Sequence, residues 1–188
     1  DIWNHDIPSP PMLTKIKKDN NIIDVVVVPT KRANTLILDR VTGEPIFDFI
    51  KKKAPTSSIP GERTSPYQPE FSLPEPFGRN VFNLEDIWSF DKNEELRLKD
   101  KYSKYTFGFY EPNHLGKKGL QYNFHGGAEW PGASIDSQNG IMYITSNNML
   151  VETELVNIEK DTKKIIPRYK SKYNLAVDKY GFPAIRPP

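Results

Sequence analysis

NIIDVVVVPTKRANTLILDRVTGEPIFDF, residues 21–49, decides the fold. Ile22 to Val28 is apolar and β-branched, as a strand buried on both faces would be. PTKRAN then turns the chain, and Thr35 to Asp39 alternates apolar with polar residues. DRVTGE is a second tight turn, with Gly43 supplying a left-handed position. Pro45 to Phe49 returns as a third strand, which makes three consecutive antiparallel strands, a meander. A degraded echo follows at ASIDSQNGIMYITSNN, residues 133–148. There Asp136 and Gly140 bracket a turn as Asp39 and Gly43 do, and Ile141 to Ile144 follow as a strand. Both pairs are offset by 97 residues, so the repeat carries a large insertion.

Short meanders joined by an xLDxxTGxxxF turn predict an all-β chain built as blades of a β-propeller. The insertion is a proline-rich loop followed by one helix. Of seventeen prolines, nine cluster in residues 55–76 and 183–188, which implies long ordered loops between short strands. SFDKNEELRLKDKYSKY offers Asp91 as N-cap with Glu94 three positions on, a capping-box pattern. Its apolar content is low, so it reads as a surface helix. The chain from Val151 onward is charged and dotted with tyrosines, with strands less sharply marked.

The composition excludes several function classes. Net charge is +2 and charged residues make up 27%, so nothing demands a nucleic acid or an anionic membrane as partner. KKIIPRYKSKYNLAVDKYG mixes basic and aromatic residues, but such runs are solvated faces far more often than single-strand binders. With no cysteine, disulfides, thiolate catalysis and cysteine zinc sites are out. Mean hydropathy is −0.62, and no apolar run approaches the ~18 residues of a membrane span.

No Walker loop, G-x-G-x-x-G, G-x-S-x-G or H-E-x-x-H occurs. His5, His114 and His125 have no metal-ligand spacing among them. FHGGAEWPGAS sets glycines around Trp130, either as a turn that buries one aromatic or as close backbone approach to a flat ligand. Lys31 follows a buried strand and sits in a turn ahead of another. A surface lysine is the plain reading there.

Taken together, these pieces resemble one family, the pyrroloquinoline-quinone-dependent dehydrogenases, in their glucose-dehydrogenase-like branch. DIWNHDIP (residues 1–8) resembles the tryptophan-aspartate stretch ending in D-L/I-P with which the family begins this region. VVVVPTKRANTLILDRVTGEPIF matches its strand, lysine turn and xVLDRxTGE. GERTSPYQPEF resembles its SPTQPF loop. HGGAEWPGASIDSQNGIMYITSNN resembles its glycine–tryptophan stretch, and DKYGFPAIRPP its DxxGYPAxxPPWG. Five motifs stand in order over nearly all 188 residues.

The resemblance implies an eight-bladed propeller of four-stranded blades, of which residues 1–188 would be one part, truncated at both ends. It implies pyrroloquinoline quinone near the propeller axis with a divalent cation, Ca²⁺ or Mg²⁺. A sugar or alcohol substrate loses its hydroxyl proton to a base and its hydride to the quinone. Electrons leave for ubiquinone or a cytochrome c, in or facing the periplasm. The family lysine that hydrogen-bonds the quinone oxygens corresponds to Lys31, and a cation there suits the negative charge that develops on them. Glu129 and Trp130 are candidate cofactor neighbours.

One position departs from the pattern. After the motif tryptophan the family has an aspartate, taken as general base beside the metal; here it is Asn4, 27 positions before Lys31. An amide oxygen can ligate Ca²⁺, but it cannot accept a proton at neutral pH. Two readings stay open. In the first another group serves: Asp6 faces the same side as Asn4 in an extended strand, whereas His5 has the better pKa but faces away. In the second the chain keeps the fold with weakened chemistry, as a binding or structural module. As a slice of a propeller it is also expected to expose sheet faces and to self-associate.

Overall fold

The computed structural model describes residues 2–158 and 169–187. Among the described residues the regular elements are mostly strands, with one α-helix, and the first sheet is the meander predicted from residues 21–49, one strand earlier than expected. β1 (Met12–Lys18), β2 (Asn21–Pro29) and β3 (Thr35–Asp39) pair antiparallel in that order. β1 and β2 are joined by Asp19 and Asn20, both at positive φ, as a two-residue hairpin of type I′ requires. Val25 and Val27 are buried, while Val26 and Val28 are half-buried. The strand therefore has one inner face, not two as expected.

The expected third strand over Pro45–Phe49 does not form. Pro45 makes only an isolated bridge to Leu38, and the Ile46 amide donates to Ile37 O at 2.8 Å. Proline brings no N–H to the ladder, and the chain leaves the sheet. It pairs instead as β4 (Phe49–Lys53) with β5 (Tyr67–Phe71). The turn ahead of it matches its echo closely. Asp39 Oδ1 accepts the amides of Val41 and Thr42, and Gly43 donates to Asp39 O at 2.9 Å. Asp136 Oδ1 accepts the amides of Gln138 and Asn139, and Gly140 donates to Asp136 O at 2.9 Å. Gly43 and Gly140 lie at φ 76° and 69°, where glycine alone is unstrained. The second copy has no proline, so β7 (Ala133–Asp136) and β8 (Ile141–Ile144) close into a full hairpin.

Between the copies lie the helix α1 (Lys92–Tyr102) and β6 (Lys118–Tyr122); β9 (Leu150–Asn157) and β10 (Tyr169–Leu175) follow the second copy, and the three strands pair in the order β10-β9-β6. The basic run noted from the sequence spans residues 163–181, and its first six, 163–168, lie outside the described residues. Asp91 caps α1 as expected, accepting from the amides of Asn93 and Glu94 at 3.0 and 3.2 Å. Glu94 does not complete the capping box. Its carboxylate takes the Arg97 guanidinium through two bonds of 2.7 Å and the Lys179 amide at 2.9 Å.

Although polar, the helix turns Leu98 and Tyr102 inward, both fully buried. They join Phe82, Ile87, Leu120, Tyr122 and Leu150 in the main core. The last motif staples to this core. Buried Asp178 accepts the amides of Tyr180 and Phe182 and the Ser89 hydroxyl, and Lys179 reaches Asp91 at 2.7 Å. Among the described residues no helix is long and apolar enough to cross a membrane.

Candidate active site

Three segments converge at the end of β2: residues 3–10, the turn Thr30–Asn34, and the loop 123–132. The turn is closed by Thr30 N to Asn34 O at 2.9 Å and Ala33 N to Thr30 O at 3.0 Å, with Ala33 at φ 59°. The glycine loop docks on it directly: the Gly127 amide donates to Lys31 O at 2.6 Å, and the Ala128 amide to Thr30 O at 3.3 Å. A Cβ on Gly127 would sit 2.8 Å from Ala33 Cβ and 2.9 Å from its nitrogen. Close backbone approach is thus what the glycine provides, toward the neighbouring turn. It does not bury an aromatic, since Trp130 is 77% exposed. The first segment is tied down by the Ser9 hydroxyl to Glu129 O at 2.9 Å and by Asn4 Nδ2 to Phe124 O at 3.2 Å.

These ties aim three side chains at one point. The Lys31 ammonium lies 2.8 Å from Asp6 Oδ1, 3.4 Å from Asn4 Oδ1 and 3.8 Å from Glu129 Oε1. Lys31 is 7% exposed, against 62% for the Asp6 side chain and 33% for that of Glu129. A surface lysine, the plain reading, is overturned: this ammonium is buried among oxygens, as a buried charge must be. Its hydrogen bond holds the Asp6 carboxyl below its ordinary value.

Residues 3–7 are not a ladder strand, as Asn4 sits at φ 59°, a left-handed position that asparagine tolerates. The expected division of faces holds nonetheless. Asn4 and Asp6 reach Lys31, while Trp3, His5 and Ile7 line a cavity on the other side. His5 also fails as a base on its pKa, which burial, assisted by Arg32 and Lys31, lowers to about 3. Trp3 is buried edge-on against Tyr110, and Tyr110 stacks on Arg32 at 4.0 Å. Arg32 follows Lys31 in the lysine-turn motif without a role of its own there, Tyr110 belongs to no motif, and only their tertiary contact reveals them. Behind the turn, Phe77 N donates to Ala33 O and Asn148 Oδ1 accepts Arg79 N, bracing it from a further loop.

The residues suit a quinone better than a divalent cation. An ammonium has three donors, and hydrogen bonds to Asn4 and Asp6 use two, leaving one for a ligand oxygen. A cation ligated by Asn4 would sit against the Lys31 ammonium. Among the described residues no three His, Asp or Glu side chains are grouped to hold a metal. These residues alone do not fit Ca²⁺ or Mg²⁺.

The family model for the glucose/ethanol/alcohol dehydrogenase β-propeller domain, the PQQ domain, matches residues 1–187. The chain is 32% identical over 174 residues to the glycerol dehydrogenase large subunit of Gluconobacter thailandicus, covering 89% of this chain and 23% of that protein. It is 28% identical over 159 residues to the quinoprotein glucose dehydrogenase of Gluconobacter oxydans, covering 83% and 19%. To the quinate/shikimate dehydrogenase (quinone) of Acinetobacter baylyi it is 26% identical over 171 residues, covering 88% and 21%. No solved structure matches. The strand meanders and the buried Lys31 turn thus belong to a β-propeller of the PQQ-dependent dehydrogenase family, and this chain is a member of that family. It spans about a fifth to a quarter of the length of these curated relatives.

Proposed function

We propose that the Lys31 cluster is the quinone-facing part of a dehydrogenase that oxidises a sugar or an alcohol. The observation that carries this reading is the buried ammonium of Lys31 held by Asp6 and Asn4 at the end of β2. Pyrroloquinoline quinone, when bound, supplies the hydride acceptor. Lys31 donates its remaining N–H to a quinone oxygen, where a preformed cation stabilises the developing charge. Trp130, exposed on the same loop as Glu129, offers a flat apolar face.

Asp6 takes the substrate hydroxyl proton on a carboxylate oxygen. At rest its bond to Lys31 depresses its basicity. A ligand oxygen that shares the charge of Lys31 would weaken that bond and make the carboxylate the stronger base. Asn4 orients Lys31 and cannot itself take the proton. Electrons leave for ubiquinone or a cytochrome c, in or facing the periplasm. A divalent cation has no step here, because the residues described do not fit one.

The test is turnover of the full-length protein, reconstituted with the quinone and Ca²⁺ and assayed with an artificial electron acceptor on sugars and alcohols. Asp6→Asn should lower kcat by about 10²–10⁴-fold, the usual worth of a general base. Unchanged kcat would refute the assignment. Asn4 in place of the family aspartate favours a second reading, a propeller relative with impaired chemistry that serves as a binding or structural module. Absence of turnover in the native protein would select it.

A further inference from the structure

Behind the Trp3–Ile7 segment, on the side away from Lys31, lies a cavity of about 350 Å³. Trp3, His5, Arg32, Arg63, Gln68 and Tyr110 are among the side chains that line it, and no Asp or Glu does. That volume is within the range of small-molecule sites, roughly 300–1,000 Å³. Its charge comes from the arginines alone, since His5 is neutral above about pH 3.

Arg32 is half-buried, and burial pulls its pKa down. Among the described residues it has neither an ion pair nor a side-chain hydrogen bond. Glu70, the carboxylate that acts on it electrostatically, is bound to Lys52 at 2.7 Å. Tyr110 covers the guanidinium face at 4.0 Å, which leaves the N–H edge for a ligand. The half-buried guanidinium keeps its N–H edge open to the cavity, and its planar fork matches a carboxylate. The Thr64 hydroxyl and the Gln68 side-chain oxygen add short polar groups of the kind that pair with sugar hydroxyls, while the Ser65 hydroxyl is taken by Tyr67 and Gln68 Nε2 by Ser65 O.

We propose that this cavity binds the carboxylate of a small polyhydroxy acid, with Arg32 as the fork and Arg63 as a second cation at the rim. The inference stands apart from the quinone reading of Lys31, because the two sites lie on opposite sides of residues 3–7.

The experiment is calorimetric titration of the full chain with sodium gluconate at fixed ionic strength, with glucose as the uncharged analogue. Gluconate should saturate a single site, glucose should bind at least about tenfold more weakly, and Arg32→Gln should cost at least about tenfold in gluconate affinity. Lys31→Gln should leave gluconate binding within about twofold, whatever it does to the quinone. No gluconate binding, equal affinity for glucose, or an unaffected Arg32→Gln protein overturns the proposal. Should Arg32→Gln unfold, exposed Arg63→Gln decides: weakened gluconate binding supports the site, and unchanged binding overturns it.

Discussion

The Lys31 ammonium sits 2.8 Å from the Asp6 carboxylate, and the two differ sharply in exposure, 9% against 62% for the side chains. The cation is therefore buried and its partner exposed, which lets a ligand compete for Lys31 from the solvent side without unpacking the fold. The pair also predicts a pH dependence. The hydrogen bond from Lys31 lowers the Asp6 pKa below 3.8. Its stabilisation is present above that ordinary value and is lost as pH falls through the depressed folded value. Melting temperatures of the native protein and Asp6→Asn should differ by a constant amount from about pH 5 upward, begin to approach each other near the ordinary carboxylate value, and converge only as pH falls through the depressed folded value. A gap that persists at low pH would show that the bond does not set the difference.

Asn4→Asp restores the family's carboxylate beside Lys31, so turnover of the reconstituted full-length protein should rise. The same change removes the Nδ2 donor to Phe124 O, a loss of about 1 kcal/mol or less at an exposed site. A small drop in melting temperature with higher kcat is expected. Unaltered kcat would mean that the amide at this position is not what limits the rate.

Gly127→Ala should destabilise by about 1–3 kcal/mol, because the new methyl group meets Ala33 backbone and side-chain atoms that cannot yield. That corresponds to roughly 2–12 °C in melting temperature for a chain of this size. Quinone affinity should fall too, as the glycine loop carries Glu129 and holds the carbonyl of Lys31. Full stability and affinity would contradict the close packing described here.

Much of this was legible in the residues, for reasons that differ by element. β2, β3 and the two Asp-to-Gly turns are local patterns, and local physics dictates them. The Asp91 cap was readable for the same reason. β1 is not legible because MLTKIKK carries three lysines in seven residues and becomes a strand only by pairing with β2. The Pro45–Phe49 strand was misread, since whether a proline ends a ladder depends on where the next partner lies. At the site, Lys31, Asn4, Asp6 and Glu129 came from motif resemblance and did converge. Arg32, Tyr110 and the Gly127–Ala33 contact did not show, because each depends on segments tens of residues apart meeting in space.

The most direct measurement is quinone binding and turnover in the full-length protein carrying Lys31→Gln. Removing the buried cation should cost about 10²–10³-fold in kcat, the usual loss for a donor aimed at developing negative charge, and weaken quinone binding in parallel. Wild-type affinity and kcat in that variant would contradict a Lys31 that faces the quinone.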